Sequence, residues 1–179
     1  MKKLLLLLLM LPMVAFAQSG KDQKSKYEDF MSKSGNVCTI LEYNLPPLEV
    51  ASAYGTTPEK ISFTIQKFSI ANSSLSFLQI FHTRWDEASS AMIEASDVKL
   101  MLNAIKEIKG KKDSPVPEGA TAQYLFLGND GVTVKLKGKD RDIWEIKLER
   151  YTKDDISIKD IDSFIGKLEE IVQKMDSIK

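Results

Sequence analysis

Apolar and polar residues alternate over 61–66, where Ile61, Phe63 and Ile65 are separated by Ser62, Thr64 and Gln66. A period of two marks a strand with one buried face. Residues 75–83 predict a second strand with apolar groups on both faces, Phe77 and Phe81 on one, Leu78 and Ile80 on the other. Such a strand is either central and covered on both sides, or offers its second face to a partner. Ala71-Asn72-Ser73-Ser74 between the two reads as a turn. Residues 37–43 predict an earlier strand. After it, Pro46-Pro47 keeps 44–57 irregular, because proline cannot donate to a ladder. Residues 91–95 predict a short third strand.

The period then changes. Val98, Met101, Leu102, Ile105 and Ile108 recur at steps of three and four, the stripe of an amphipathic helix. Ser96 or Asp97 is placed to cap it, and Gly110 to stop it. Residues 113–119, with Pro115 and Pro117, form a linker. Beyond it, strands at 124–127 and 132–137 flank Gly128-Asn129-Asp130-Gly131, a hairpin signal. A further strand runs over 143–151, after a tight connection at 138–142. A last helix starts near Ser157, where Ser157 and Asp160 have the spacing of a capping box. Its stripe is Ile161, Phe164, Ile165, Leu168, Ile171, Val172 and Met175.

The two halves can be laid on each other so that Ile93 meets Ile156, Asp97 meets Asp160, Val98 meets Ile161 and Ile108 meets Ile171. Three strands and a helix then repeat, the pattern of an internal duplication of a βββα unit with half-repeats 61–109 and 121–175. Two amphipathic helices match this way partly by chance. Thr133, Lys135 and Lys137 share one strand face with Glu145, Lys147 and Glu149 on its neighbour. Opposite charges across strands suit a wet face. Both helices should therefore pack on the other one. The expected fold is α+β, an antiparallel sheet with two amphipathic helices on one face, forming a single domain over 37–179.

The chain begins with Met1-Lys2-Lys3, an apolar run over 4–16, and Ala15-Phe16-Ala17. This is the layout of a secretory signal peptide, residues 1–17, cut before Gln18. The run is too short for a membrane span, which needs roughly 20 residues. Its glutamine after the cut resembles the signals of proteins exported to Gram-negative envelopes, a resemblance confined to the first 18 residues. Lipidation would need a cysteine at the cut, and the one cysteine is Cys38. The expected location is periplasmic or extracellular, not as a lipoprotein and with no transmembrane segment after cleavage. Residues 18–36 read as a flexible polar leader. Within it Tyr27, Phe30 and Met31 have the spacing of a short docking helix.

Composition narrows the chemistry. With 25 basic and 25 acidic side chains, the 179-residue chain has no surplus of positive charge for nucleic acid. A single cysteine forms no internal disulfide. His82 is the only histidine, so any Ser-His or Cys-His machine uses it or none. It stands in a polar cluster with Arg84, Asp86 and Glu87, where either acid could orient it for proton transfer. The alternative is a strand-end histidine that is solvated or bonded to backbone. Cys38 lies in an apolar strand, where cysteine is usually a small hydrophobe. One His and one Cys cannot supply a zinc site. Asp154-Asp155 and Asp160 with Asp162 lack the register of a calcium loop and suit capping instead. Lys135, Lys137, Lys139 and Arg141 form a basic stripe that could meet an acidic polymer, but Glu145 and Glu149 interrupt it. No catalytic, cofactor-binding or metal-binding residues are assigned, and no cofactor is expected.

Three functions remain. The favoured one is an exported, non-enzymatic domain binding another protein or a cell-surface component, with Phe77, Phe81 and Trp85 as the candidate interaction surface. The second is a small-molecule or lipid carrier with a cavity between sheet and helices. The third is a carboxylate-based hydrolase using Asp86, Glu87 or Glu94 beside His82.

Overall fold

The computed structural model describes residues 26–32, 37–84, 87–137, 143–149 and 155–178. The predicted signal peptide, most of the leader, Trp85 and Asp86 lie outside the described residues. In chain order the elements are α1 (Lys26–Met31), β1 (Cys38–Val50), β2 (Glu59–Ile70), β3 (Ser73–Arg84), β4 (Glu87–Glu94), α2 (Ala95–Gly110), β5 (Gln123–Leu127), β6 (Thr133–Lys137), β7 (Ile143–Lys147), β8 (Ile156–Ile158) and α3 (Ile161–Ser177).

The α+β class and the antiparallel pairing are as the periodicity predicts. The strands divide into two sheets of four, in the orders β1-β2-β3-β4 and β5-β6-β7-β8. An isolated antiparallel bridge between Ser52 and Ile158, with Ala53 N–H donating to Ser157 C=O at 2.8 Å, ties the end of β1 to β8. A four-strand meander followed by a helix thus occurs twice, one strand more per half than expected. The strands of the first half run to 13 residues, those of the second to five. The helices α2 and α3 pack on each other and fill one side. Ile61, Phe63, Ile65, Leu78 and Ile80 of the first sheet join Val134, Leu136, Trp144 and Ile146 of the second in one apolar cluster with both helix stripes. Burying each large apolar side chain contributes about 1.5–3 kcal/mol. Outside the core, α2 supplies lysines and α3 acids to the helix seam. Lys99 meets Asp176 at 2.8 Å, Lys106 meets Glu169 at 2.6 Å, and Lys109 pairs with Asp162.

Four local expectations are corrected. The segment 44–57 was expected to be irregular, yet β1 continues through Pro46-Pro47 to Val50, with its register shifting between Leu45 and Leu48. An edge strand tolerates prolines because one row of its N–H groups needs no partner, and the bulge absorbs the misfit. The N-cap of α2 is Glu94, whose side chain makes no capping bond, while Asp97 lies in the first turn. The last helix starts later than the capping-box spacing suggested. Ser157 belongs to β8, and Asp160 is the N-cap, accepting from Asp162 N–H at 2.9 Å. The superposition that placed Asp97 on Asp160 therefore pairs a residue inside one helix with the cap of the other. Finally, the outer face of the second sheet is not wholly wet. Lys137 pairs with Glu145 as expected, but Glu145 is buried. Ser157 of β8 stands opposite it, where the chain at Ala53 crosses.

Candidate functional site

The alternation that buries Ile61, Phe63 and Ile65 also places Glu59 on the core face of β2. On β3, Leu78 and Ile80 lead to His82 on the same face. Antiparallel pairing sets Ile61 opposite His82. Glu59 is then the diagonal neighbour of His82, within side-chain reach. His82 Nε2 lies 3.0 Å from Glu59 Oε2, and Ser52 Oγ donates to Glu59 Oε1 at 3.0 Å. All three residues are buried, the histidine side chain completely. Ser89 of β4 stands opposite His82, its Oγ buried and without a hydrogen-bond partner among the described residues.

This row of Ser52, Glu59, His82 and Ser89 closes the core at the end of the first sheet where the second sheet joins. Its geometry does not suit nucleophilic catalysis. The carboxylate sits between serine and histidine, so Ser52 bonds an acceptor rather than a base, and the enclosed imidazole offers no face to a substrate. The bonds of Ser52 and His82 to Glu59 satisfy polar atoms that burial would otherwise leave costly. Sequence reasoning missed Glu59 and Ser52. The available signal was a charged residue continuing an apolar alternation, which demands a partner on an adjacent strand. Of the polar cluster expected around His82, Asp86 lies outside the described residues. Arg84 and Glu87 oppose each other across β3 and β4.

The second face of β3 also has an occupant. Phe77 is fully buried with Phe68 and Ile70 of β2 beneath α1, whose Phe30 completes the cluster and whose Tyr27 packs at its margin. The rings of Tyr27, Phe68 and Phe77 meet edge to face, with centroids 5.5–5.6 Å apart. Such pairs add about 0.5–1.5 kcal/mol each beyond their buried area. A helix of six residues does not persist alone, so packing holds it. Its first residue is anchored as well: Lys26 Nζ lies 2.6 Å from Glu94 and 3.3 Å from Asp97. Chiefly through the hydrogen bond to Glu94, the pKa of this lysine is raised. Asp130, in the turn between β5 and β6, faces the same group. Burial first and the Asp97 charge second push its carboxyl above the ordinary carboxylate value, with Lys26 opposing.

Of the expected interaction surface, Phe77 is thus enclosed by the chain's own leader. Phe81 remains 39% exposed, and Trp85 lies outside the described residues. Cys38 is half-buried at the rim of the α1 cluster. Trp144 is core. Glu94, a candidate acid, is occupied by Lys26. Asp160 is a cap, Asp162 pairs with Lys109, and Asp155 lies 3.1 Å from Lys147. Lys139, Arg141 and Asp154 are outside the described residues. Among the described residues there is no group of three or more His, Cys, Asp or Glu side chains that could hold a metal ion. Nor is any helix among them long and apolar enough to cross a membrane.

Besides Met31, Tyr54, Phe81 and Leu100, the exposed large apolar side chains lie on or beside two edge strands. No described strand pairs with β1 on its far side before the bridge at Ser52, and Ile40 and Leu41, on opposite faces of β1, are 47% and 49% exposed. Val37, just before the strand, is exposed too. On the second sheet the edge strand β5 exposes Leu125 and Leu127.

The fold and these surfaces define an α+β domain in which no described strand pairs with the outer edge of β5, or with that of β1 before Ser52. Compared with protein-family models, curated proteins and solved structures, the chain matches none.

Proposed function

We propose that this is an exported, non-enzymatic domain that binds another protein, and that the contact is made along the open edge of β1. One observation carries the reading. Over Cys38–Leu45 the edge carries no lysine and no proline, the devices that normally blunt a free strand. It also leaves Ile40 and Leu41 bare on opposite faces. A row of unpaired backbone groups flanked by apolar side chains suits strand addition, in which the main chain gives affinity and the side chains give selectivity. The export part rests on residues 1–17, with their cationic start, apolar run and Ala-Phe-Ala. It places the domain in the periplasm or outside the cell.

The test is a photo-crosslinker at position 41, with position 103 on the exposed side of α2 as control, activated in the native compartment. A discrete adduct from position 41 and none from position 103 supports the reading. Monomer alone from both overturns it. N-terminal sequencing of the recovered chain should begin at Gln18; a start at Met1 would remove the export part.

A further inference from the structure

We propose that the open edge of β1 receives the edge strand β5 of a second copy of this chain, so that copies join head to tail. The inference rests on the protein-binding reading above and names the partner.

Among the described residues, two edges are free of lysine and proline: β1 over 38–45, and β5. Both carry apolar side chains on both faces. On β1 these are Ile40 on the outer face and Leu41 and Tyr43 on the helix side. On β5, Leu125 and Leu127 point outward, while Tyr124 and Phe126 pack against the core. β5 contains no charge and no proline. The two long helices α2 and α3 lie on the core face of both sheets, with the short α1 on the other side over β2 and β3. Joining β1 to β5 can therefore extend one sheet by the other with the core faces continuous.

Charge decides between β5 and a second β1 as the occupant. The charged residues of β1 are Glu42 and Glu49, both acidic. Glu42 accepts from the Gln66 amide at 2.7 Å, a neutral donor that does not cancel its charge. Beside β5, the outer face of β6 carries Lys135, directly opposite Leu125, while Lys137 on the same face is held by Glu145. Strands lie about 4.8 Å apart, so β5 laid against β1 puts the backbones at Glu42 and Lys135 about 10 Å apart, a gap that the two long side chains can narrow to within the Debye length of about 8 Å at physiological salt. Pairing β1 with β1 would instead bring like charges together. Because the two contacting surfaces differ, the interface is heterologous and leaves one free edge at each end of the assembly.

Sedimentation velocity on the chain purified from its native compartment tests this. The wild type should show a series of oligomers growing with concentration. Leu41→Lys blocks the receiving edge, and the pair Leu125→Lys, Leu127→Lys blocks the donated one. All three positions are about half exposed or more, so the variants should melt like the wild type. Each variant alone should need about tenfold or more higher concentration to associate. Mixed, they should form a one-to-one dimer and nothing larger, since one intact β1 and one intact β5 remain. A wild type that stays monomeric throughout overturns the inference. So does association by the β5 variant alone at wild-type concentrations, which would indicate β1–β1 pairing. A position-41 adduct with an unrelated protein alongside a monomeric wild type would sink this inference and leave the protein-binding reading standing.

Discussion

His82 Nε2 lies 3.0 Å from Glu59 Oε2, inside the core, and the second oxygen of the same carboxylate is taken by Ser52. One acid therefore serves three elements: β2, β3 and the chain that crosses from β1 toward the second sheet. Removing it leaves two buried polar groups short of a partner at once. Glu59→Ala should destabilise the domain by about 2–4 kcal/mol, and Ser52→Ala by about 1 kcal/mol. Urea unfolding monitored by tryptophan fluorescence measures both. Equal costs would mean that the Ser52 bond, not the pairing with His82, holds the join.

The α1 helix covers its groove by packing more than by charge. Phe30 is buried among aromatic rings, whereas Lys26 is 46% exposed, and a pair so open to water is worth at most about 1 kcal/mol. Phe30→Ala should thus release α1, raise binding of an apolar dye to the bared Phe68 and Phe77, and remove protection from exchange in 26–31. Lys26→Met should do so only weakly. If Lys26→Met released the helix as fully as Phe30→Ala, the lysine anchor would be the main restraint.

Asp130 offers a test with a defined sign. Its pKa is raised from 3.8, so the folded state holds the proton more tightly than the unfolded chain. Its contribution to stability therefore falls as pH rises through the raised value. Asp130→Asn removes the charge and keeps the shape, so the variant should melt higher than wild type at neutral pH. The gap should close as pH drops below 3.8. Melting curves across this range check the prediction; a gap constant in pH would show that the carboxylate charge is not its source.

Ala71, at the turn between β2 and β3, has φ of 51°, a left-handed conformation that crowds any side chain. Ala71→Gly relieves a strain of about 1–2 kcal/mol but frees the unfolded chain by somewhat less. The variant should gain up to about 1 kcal/mol in denaturant unfolding. A loss would show that the alanine methyl makes contacts outweighing the strain.

Much of the architecture was legible in the residues because local periodicity reports which faces are buried. The alternation over 61–66 and the helix stripes from Val98 to Ile108 and from Ile161 to Met175 lie where the pattern put them. Tyr27 and Phe30 marked α1 within an otherwise polar leader. The partner of His82 was harder to read. Strand periodicity says that Glu59 and His82 each face inward, but their meeting depends on the register of β2 against β3, which contacts distant in sequence decide. The same limit hid the closure of Lys26 on Glu94 and Asp97.

By itself the sequence determined most of the strands, the two long helices, the hairpin turn at 128–131 and the core-facing stripe of these elements, since these follow from steric and solvation preferences acting over a few residues. Only the tertiary structure decided that eight strands make two sheets and that β1 runs on through two prolines. It also decided that α1 covers Phe77 and that no described strand pairs with the outer edge of β5, or with that of β1 before Ser52. Those outcomes depend on which surfaces compete for burial once the chain is compact, and no local pattern carries that information.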